Sequence, residues 1–199
     1  MMDIVLISVP GFFEGEERIV SALLGRFEIT FHLRKPGASC QEYRSFLHNI
    51  PDTLHRKIML HGAYPLSEQF NLSGLHFSTG NRDLAKSYPG IVKSTSVHSV
   101  QESKQLDGQF HYQFLSPVFP SISKKGYTGN LDMDEVREFL QQPRKSRVIA
   151  LGGVDRNKVS TLQNMGFDGV ALLGAVWGEN PRDGNAVEQR LADICALAV

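Results

Sequence analysis

The chain has 199 residues, 41% of them hydrophobic, and reads as one domain over residues 1–199 with enough apolar side chains for a real core. Its 21 basic and 21 acidic residues cancel, so no global field favours nucleic acid or a membrane surface, and any preference for anions must be local. Two cysteines, Cys40 and Cys195, lie far apart with no CxxC pair, the pattern of unpaired thiols in a reducing compartment.

The opening stretch, Met1 to Val9, is apolar but too short to span a bilayer, and no basic segment precedes it. It reads as a buried strand, and the expected location is the cytoplasm. From there a short apolar run, a turn and an amphipathic stretch recur. Strand 4–9 is followed by helix 14–24, strand 27–33 by helix 40–49, strand 57–60 by helix 66–71, and strand 74–77 by helix 82–88. Strand 91–95 leads to helix 100–106, strand 110–115 to helix 133–141, strand 147–151 to helix 156–165, and strand 169–173 to helix 186–198. Alternation of this kind means a parallel sheet with right-handed crossovers, and eight units predict a (β/α)8 TIM barrel near the lower size limit of that fold, roughly 200 residues. A doubly wound open sheet is the other arrangement, weakened by the absence of an early GxGxxG.

In such a barrel the C-terminal strand ends carry the chemistry. The second strand offers His32 and Arg34, two apart and so on one face. The third offers His61 and the fourth His76. After the fifth come Ser94, Ser96 and His98, and the seventh and eighth offer Gly152, Gly153 and Gly174. The sixth leads into Ser116-Pro117-Val118-Phe119-Pro120-Ser121-Ile122-Ser123-Lys124-Lys125-Gly126, where hydroxyls that donate hydrogen bonds stand beside lysines that supply charge. That combination suits a phosphate, and glycine turns opening helices after the last two strands suit the same group. Carboxylates are scarce at these ends. Asp155 fits the N-cap of the next helix, and Asp83 begins one. The set suits an anionic ligand and proton transfer, and suits Mg2+ poorly. A four-histidine zinc site lacks paired-ligand spacing, so no metal ligand is assigned. His48, His55 and His111 read as structural.

At these residues the sequence resembles the thiamin phosphate synthase superfamily, which includes the TenI-type proteins. Thr30-Phe31-His32-Leu33-Arg34 is similar to the family segment ending in a phosphate-binding arginine, and Ser94-Thr95-Ser96-Val97-His98-Ser99 to its serine–histidine segment. The loop through Lys124 resembles its hydroxyl-rich loop ending in lysine. Ala150-Leu151-Gly152-Gly153-Val154 and Gly166-Phe167-Asp168-Gly169-Val170 resemble its last two strands. The resemblance implies a barrel that binds thiazole phosphate. In the synthases a pyrimidine diphosphate and Mg2+ bind as well, and pyrophosphate leaves as the thiazole nitrogen takes its place. This chain departs from that pattern. Leu60-His61-Gly62 stands where an Asn-Asp segment holds Mg2+, Asn81 falls near the second metal-holding acid, His32 replaces a pyrimidine-contacting glutamine, and Pro36 occupies a lysine position with Lys35 beside it. His76 matches the synthase histidine of strand four.

TenI-type proteins share these losses, and there an isomerase moves a proton to aromatise a thiazole phosphate carboxylate. The leading expectation is a metal-independent thiazole tautomerase with no cofactor. His98 would be the acid/base and Arg34 would face the substrate carboxylate, while Ser121, Ser123, Lys124 and the amides near Gly153 and Gly174 would hold the phosphate. His32, His61, His76, Ser96 and Gly152 would line the ligand site. The alternatives are a Mg2+-dependent thiamine-phosphate synthase and a non-catalytic regulator that binds thiazole or thiamin phosphate. The expected partner is the small-molecule thiazole phosphate, with neither nucleic acid nor membrane. Small barrels often associate through outer helices, so a homodimer is compatible with the sequence.

Overall fold

The computed structural model describes residues 2–119 and 131–198. Parallel strands β1 (Asp3–Ile7), β2 (Thr30–Leu33), β3 (Ile58–Leu60), β4 (Gly74–Phe77), β5 (Val92–Val97), β6 (Tyr112–Leu115), β7 (Arg147–Leu151) and β8 (Gly169–Leu172) pair in chain order. β8 returns to pair with β1, so the sheet is a closed (β/α)8 barrel and the open-sheet alternative is set aside. Helices α1 (Glu16–Arg26), α2 (Cys40–His48), α3 (Val100–Gln105), α4 (Met133–Leu140), α5 (Val159–Met165), α6 (Gly174–Trp177) and α7 (Gly184–Cys195) connect or follow the strands.

The expected boundaries shift for local reasons. The second strand begins at Thr30 rather than at residue 27, because the Phe27 amide bonds to Leu23 O and closes α1. The fifth extends to Val97, because Ser96 and Val97 pair with Phe114 and Leu115 of β6. The stretches expected as helices 66–71 and 82–88 are 3₁₀ turns, Tyr64–Glu68 and Thr79–Ser87. The first turn enters from Ala63 in the left-handed region with a proline at its start, and the second is kinked at Asn81.

Side chains alternate across each strand, so every second residue points into the barrel. Ile4, Leu6, Phe31, Leu33, Val170 and Leu172 face outward and join the helices in the main core. Val5, Ile7, Phe114, Ile149 and Ala171 form a second, inner cluster. That inner apolar packing belongs to β1, β6, β7 and β8. In β2, β4 and β5 the corresponding buried positions hold His32, His76 and Ser94. The barrel interior is therefore apolar on one side and polar on the other, and the polar side lies beneath the strand ends that carry Arg34, His61 and His98.

Candidate active site

Arg34 follows β2 and shares the inward register of His32. Its backbone is fixed to the first strand's end: Ser8 Oγ donates to Arg34 O at 2.9 Å, and the Arg34 amide donates to Ser8 Oγ at 2.9 Å. The next residue turns away. Lys35 is buried, with Nζ 2.6 and 2.7 Å from the two carboxylate oxygens of buried Glu16 and 2.9 Å from the carbonyls of Val9 and Gly11. Burial lowers the Lys35 pKa and raises that of Glu16, against the pull of their mutual hydrogen bond. Lys35 is thus committed to bracing the loop and is no substitute for a ligand-binding lysine. The exposed Arg34 guanidinium is the cation of this corner.

Below it, three histidines meet. His32 Nδ1 lies 2.8 Å from His61 Nε2, and His32 Nε2 lies 2.6 Å from Tyr112 Oη. His61 stacks on His76 with ring centroids 4.0 Å apart. His76 Nδ1 is 2.9 Å from Ser94 Oγ, and its Nε2 is 3.1 Å from Ser96 Oγ. Burial, reinforced by charge on neighbouring groups, holds His32 and His61 well below the usual imidazole range and His76 down to about 3, so all three rings are neutral near pH 7. Arg34, His61 and His76 line one cleft of about 280 Å³ together with Tyr43 and Ser78. His32 is 0% exposed, so any effect it has on a ligand passes through His61 or His76. Tyr112 was not expected here, although its inward register two residues before Phe114 was readable in the alternation.

His98 directly follows β5 and is exposed at the rim. Its Nδ1 sits 2.8 Å from the carbonyl of Ser116. A carbonyl only accepts, so Nδ1 carries a proton and Nε2 is the nitrogen left outside that bond. The turn is held from the other side. Glu102 Oε2 accepts from the His98 amide at 2.7 Å, and Glu102 Oε1 pairs with Arg82 Nη1 at 2.7 Å. Arg82 also donates to Thr95 Oγ1 at 2.8 Å and to the Ser96 carbonyl. Burial raises the Glu102 pKa, but the hydrogen bonds from His98 and Arg82 and the nearby positive charge outweigh it and hold the carboxyl below its ordinary value. Ser99-Val100-Gln101-Glu102 carries the spacing of a capping box, so Glu102 was legible as a helix-start residue. Its reach back to His98 was not.

Past β7 and β8, Gly152, Gly153, Gly174 and Ala175 border a second cavity of about 600 Å³. Gly152 has φ 99°, and a Cβ there would come within 2.8 Å of Pro117 Cβ, so the turn requires glycine twice over. Gly174 opens α6, whose first amides have no intrahelical acceptor. Trp177 Nε1 donates to Ile7 O at 2.8 Å and pins that helix to β1. Lys158, which sequence reasoning passed over, donates to Gly153 O at 2.5 Å, pairs with Asp155 at 3.0 Å and lies over the Phe119 ring at 4.8 Å. Ser121, Ser123, Lys124 and Lys125 lie outside the described residues. Asp155 caps the following 3₁₀ turn as expected, accepting from the Asn157 amide at 2.9 Å.

The donor set answers whether the magnesium of the synthases fits. The positions beyond β3 and β4 present His61 and, in the amide of Asn81, a group that donates to Tyr64 Oη at 2.9 Å. Asp83 is fully exposed and faces Lys86 at 4.0 Å, and Glu102 is spent on Arg82 and His98. Imidazole nitrogens and hydroxyls are poor partners for a hard cation that demands oxygen ligands in octahedral array. The described residues therefore do not fit Mg2+ at these strand ends.

A family model described as thiamine monophosphate synthase matches residues 7–176. A thiamine-phosphate synthase of Neisseria meningitidis serogroup B is 27% identical over 154 residues, 75% of this chain and 70% of that one. A thiamine-phosphate synthase of Listeria welshimeri is 25% identical over 117 residues, and the match spans little more than half of either protein, 56% of each. Among solved structures, the thiamine phosphate pyrophosphorylase of Bacteroides thetaiotaomicron superposes with a TM-score of 0.81 at 29% identity, covering 99% of this chain and 98% of that one. The pyrophosphorylase of Pyrococcus furiosus shares the fold, with a TM-score of 0.77 at 17% identity. With its closed barrel, its histidine after β5 and its glycine turns after β7 and β8, this chain belongs to the thiamine monophosphate synthase family.

Proposed function

We propose that this protein is a thiazole-phosphate-binding enzyme of thiamin biosynthesis that moves a proton on its substrate without magnesium, as TenI-type tautomerases do. The observation that carries the reading is the state of His98. Its Nδ1–H is committed to the Ser116 carbonyl, which leaves Nε2 as an accessible base at the rim. In the closed barrel β5 and β6 stand between the Arg34 cleft and the glycine turns of β7 and β8 on one side of the mouth, and β1 on the other. A ligand with its carboxylate on Arg34 and its phosphate at the Gly153 and Gly174 amides would bring its ring toward His98. Nε2 takes a proton from a ring carbon, the imidazolium is stabilised by the Ser116 carbonyl, and after its Nε2 proton exchanges with solvent at this exposed rim it delivers a proton to the other end of the unsaturated system. Ser121, Ser123 and Lys124 complete the phosphate site in this reading, and Ser96, His61 and His76 border the heterocycle. A cytoplasmic location follows from the reading, and no helix among the described residues is long and apolar enough to cross a membrane.

The names of the relatives favour a second reading, condensation of a pyrimidine diphosphate with thiazole phosphate. Two assays separate them. The first reading expects tautomerisation in the presence of a strong chelator, abolished in His98→Ala. Mg2+-dependent release of pyrophosphate, with no tautomerisation, would establish the second.

A further inference from the structure

We propose that His32, His61 and His76 form a binding site for one borderline-soft divalent cation of the Zn2+ class, with its fourth coordination position open to the Arg34 cleft. Each residue offers a ring nitrogen, and these ligand atoms lie within 4.8 Å of one another. Of its three ligands only His61 stands at a position that holds magnesium in the synthases, and the site goes beyond the proton transfer assigned to His98.

The chemistry of the donors is the first support. Three imidazoles and no carboxylate select Zn2+, Co2+, Ni2+ or Cu2+ over Mg2+. The second support is the shell behind them. In established metal sites the non-ligating nitrogen of each histidine donates to a fixed oxygen, which sets the tautomer and aims the lone pair. Here His32 ligating through Nδ1 keeps Nε2–H for Tyr112 Oη, and His76 ligating through either nitrogen keeps a serine hydroxyl on the other. The third is the surroundings. Phe114 packs 4.9 Å from the His32 ring and 5.0 Å from the His76 ring, so the inner side of the site is dry.

Without metal, a hydrogen bond of 2.8 Å joins His32 Nδ1 to His61 Nε2. Tetrahedral zinc with bonds of about 2.0–2.1 Å sets its ligand nitrogens about 3.3 Å apart, so the cation replaces that shared proton only as the rings, His61 the least buried of them, move from a spread of up to 4.8 Å to that spacing. Arg34 beside the opening disfavours a bare dication. It favours one whose fourth ligand is an anionic oxygen drawn from the cleft.

The test uses the untagged, metal-free protein. Titration with Co2+ is expected to give the intense visible bands of a tetrahedral ion at one equivalent, bleached by Zn2+ and unaffected by excess Mg2+. His61→Ala and His76→Ala, with folding checked by near-UV circular dichroism, should each lose the bands. Tyr112→Phe should bind about 10-fold more weakly, the size of a typical outer-shell loss. His98→Ala should bind as the parent does, so loss of turnover in that variant is separable from loss of metal. Absence of stoichiometric binding, or bands that survive both histidine variants, would overturn the site.

Discussion

At the scale of single residues, the base role proposed for His98 rests on what its other nitrogen touches. The Ser116 carbonyl fixes the tautomer, and the Glu102–Arg82 pair fixes the turn. Replacing His98 by alanine should lower tautomerase turnover by about 10²–10⁴-fold, the usual contribution of a positioned acid/base, with little change in thermal stability because the side chain is exposed. Glu102 makes a pH-dependent contribution to stability. Its carboxyl is held below the ordinary value, so the stabilisation is complete above about pH 4.3, the unfolded-state value, and fades as pH falls through the folded one. Glu102→Gln should therefore cost about 1.5–3 kcal/mol in urea denaturation at pH 7. That gap to the parent should narrow below about pH 4; a gap constant down to pH 3 would contradict the argument. His98 and Arg34 were legible because a strand-end position is fixed by period-2 register. Arg82 was not, since its partner Glu102 lies on another element and no spacing rule joins them.

At the scale of elements, the loop after β2 is held by one buried ion pair. Lys35 and Glu16 have side-chain exposures of 1% and 0%, so removing one partner strands the other charge. Lys35→Met should cost about 3–5 kcal/mol by thermal or chemical melts, whereas Glu16→Leu with Lys35→Met should return close to the parent stability. A double variant no better than the single would show that the pair is not what matters there. β4 carries a second constraint. Gly74 packs so closely on β5 that a Cβ would collide with Val92 O and come within 2.8 Å of Met59 Sδ. Gly74→Ala should destabilise by about 1–3 kcal/mol, and because His76 lies two residues on, it should also alter the near-UV circular dichroism of the aromatic cluster. Long elements were readable from periodicity. The connections flanking β4 were not, because an apolar residue every third or fourth position serves a 3₁₀ turn as well as a short α-helix.

At the scale of the whole molecule, the barrel separates work from support. The outer core between strands and helices carries the fold, and the apolar half of the interior continues that support inward. The polar side, built on β2, β4 and β5, places Arg34, His61, His76 and His98 at one mouth, with His32 sealed beneath. Order along the chain made this mouth foreseeable, because each strand contributes its end in turn. Depth was not foreseeable. His32 and His61 both read as strand-end histidines, yet His32 is sealed while His61 borders the cleft. The central claim is that this mouth transfers a proton through His98 without magnesium. The direct measurement is NMR of a thiazole phosphate carboxylate tautomer incubated with the protein in heavy water and excess chelator. Aromatisation with solvent deuterium in the product, absent in His98→Ala, is the predicted result. Unchanged substrate, or equal turnover by His98→Ala, would contradict it.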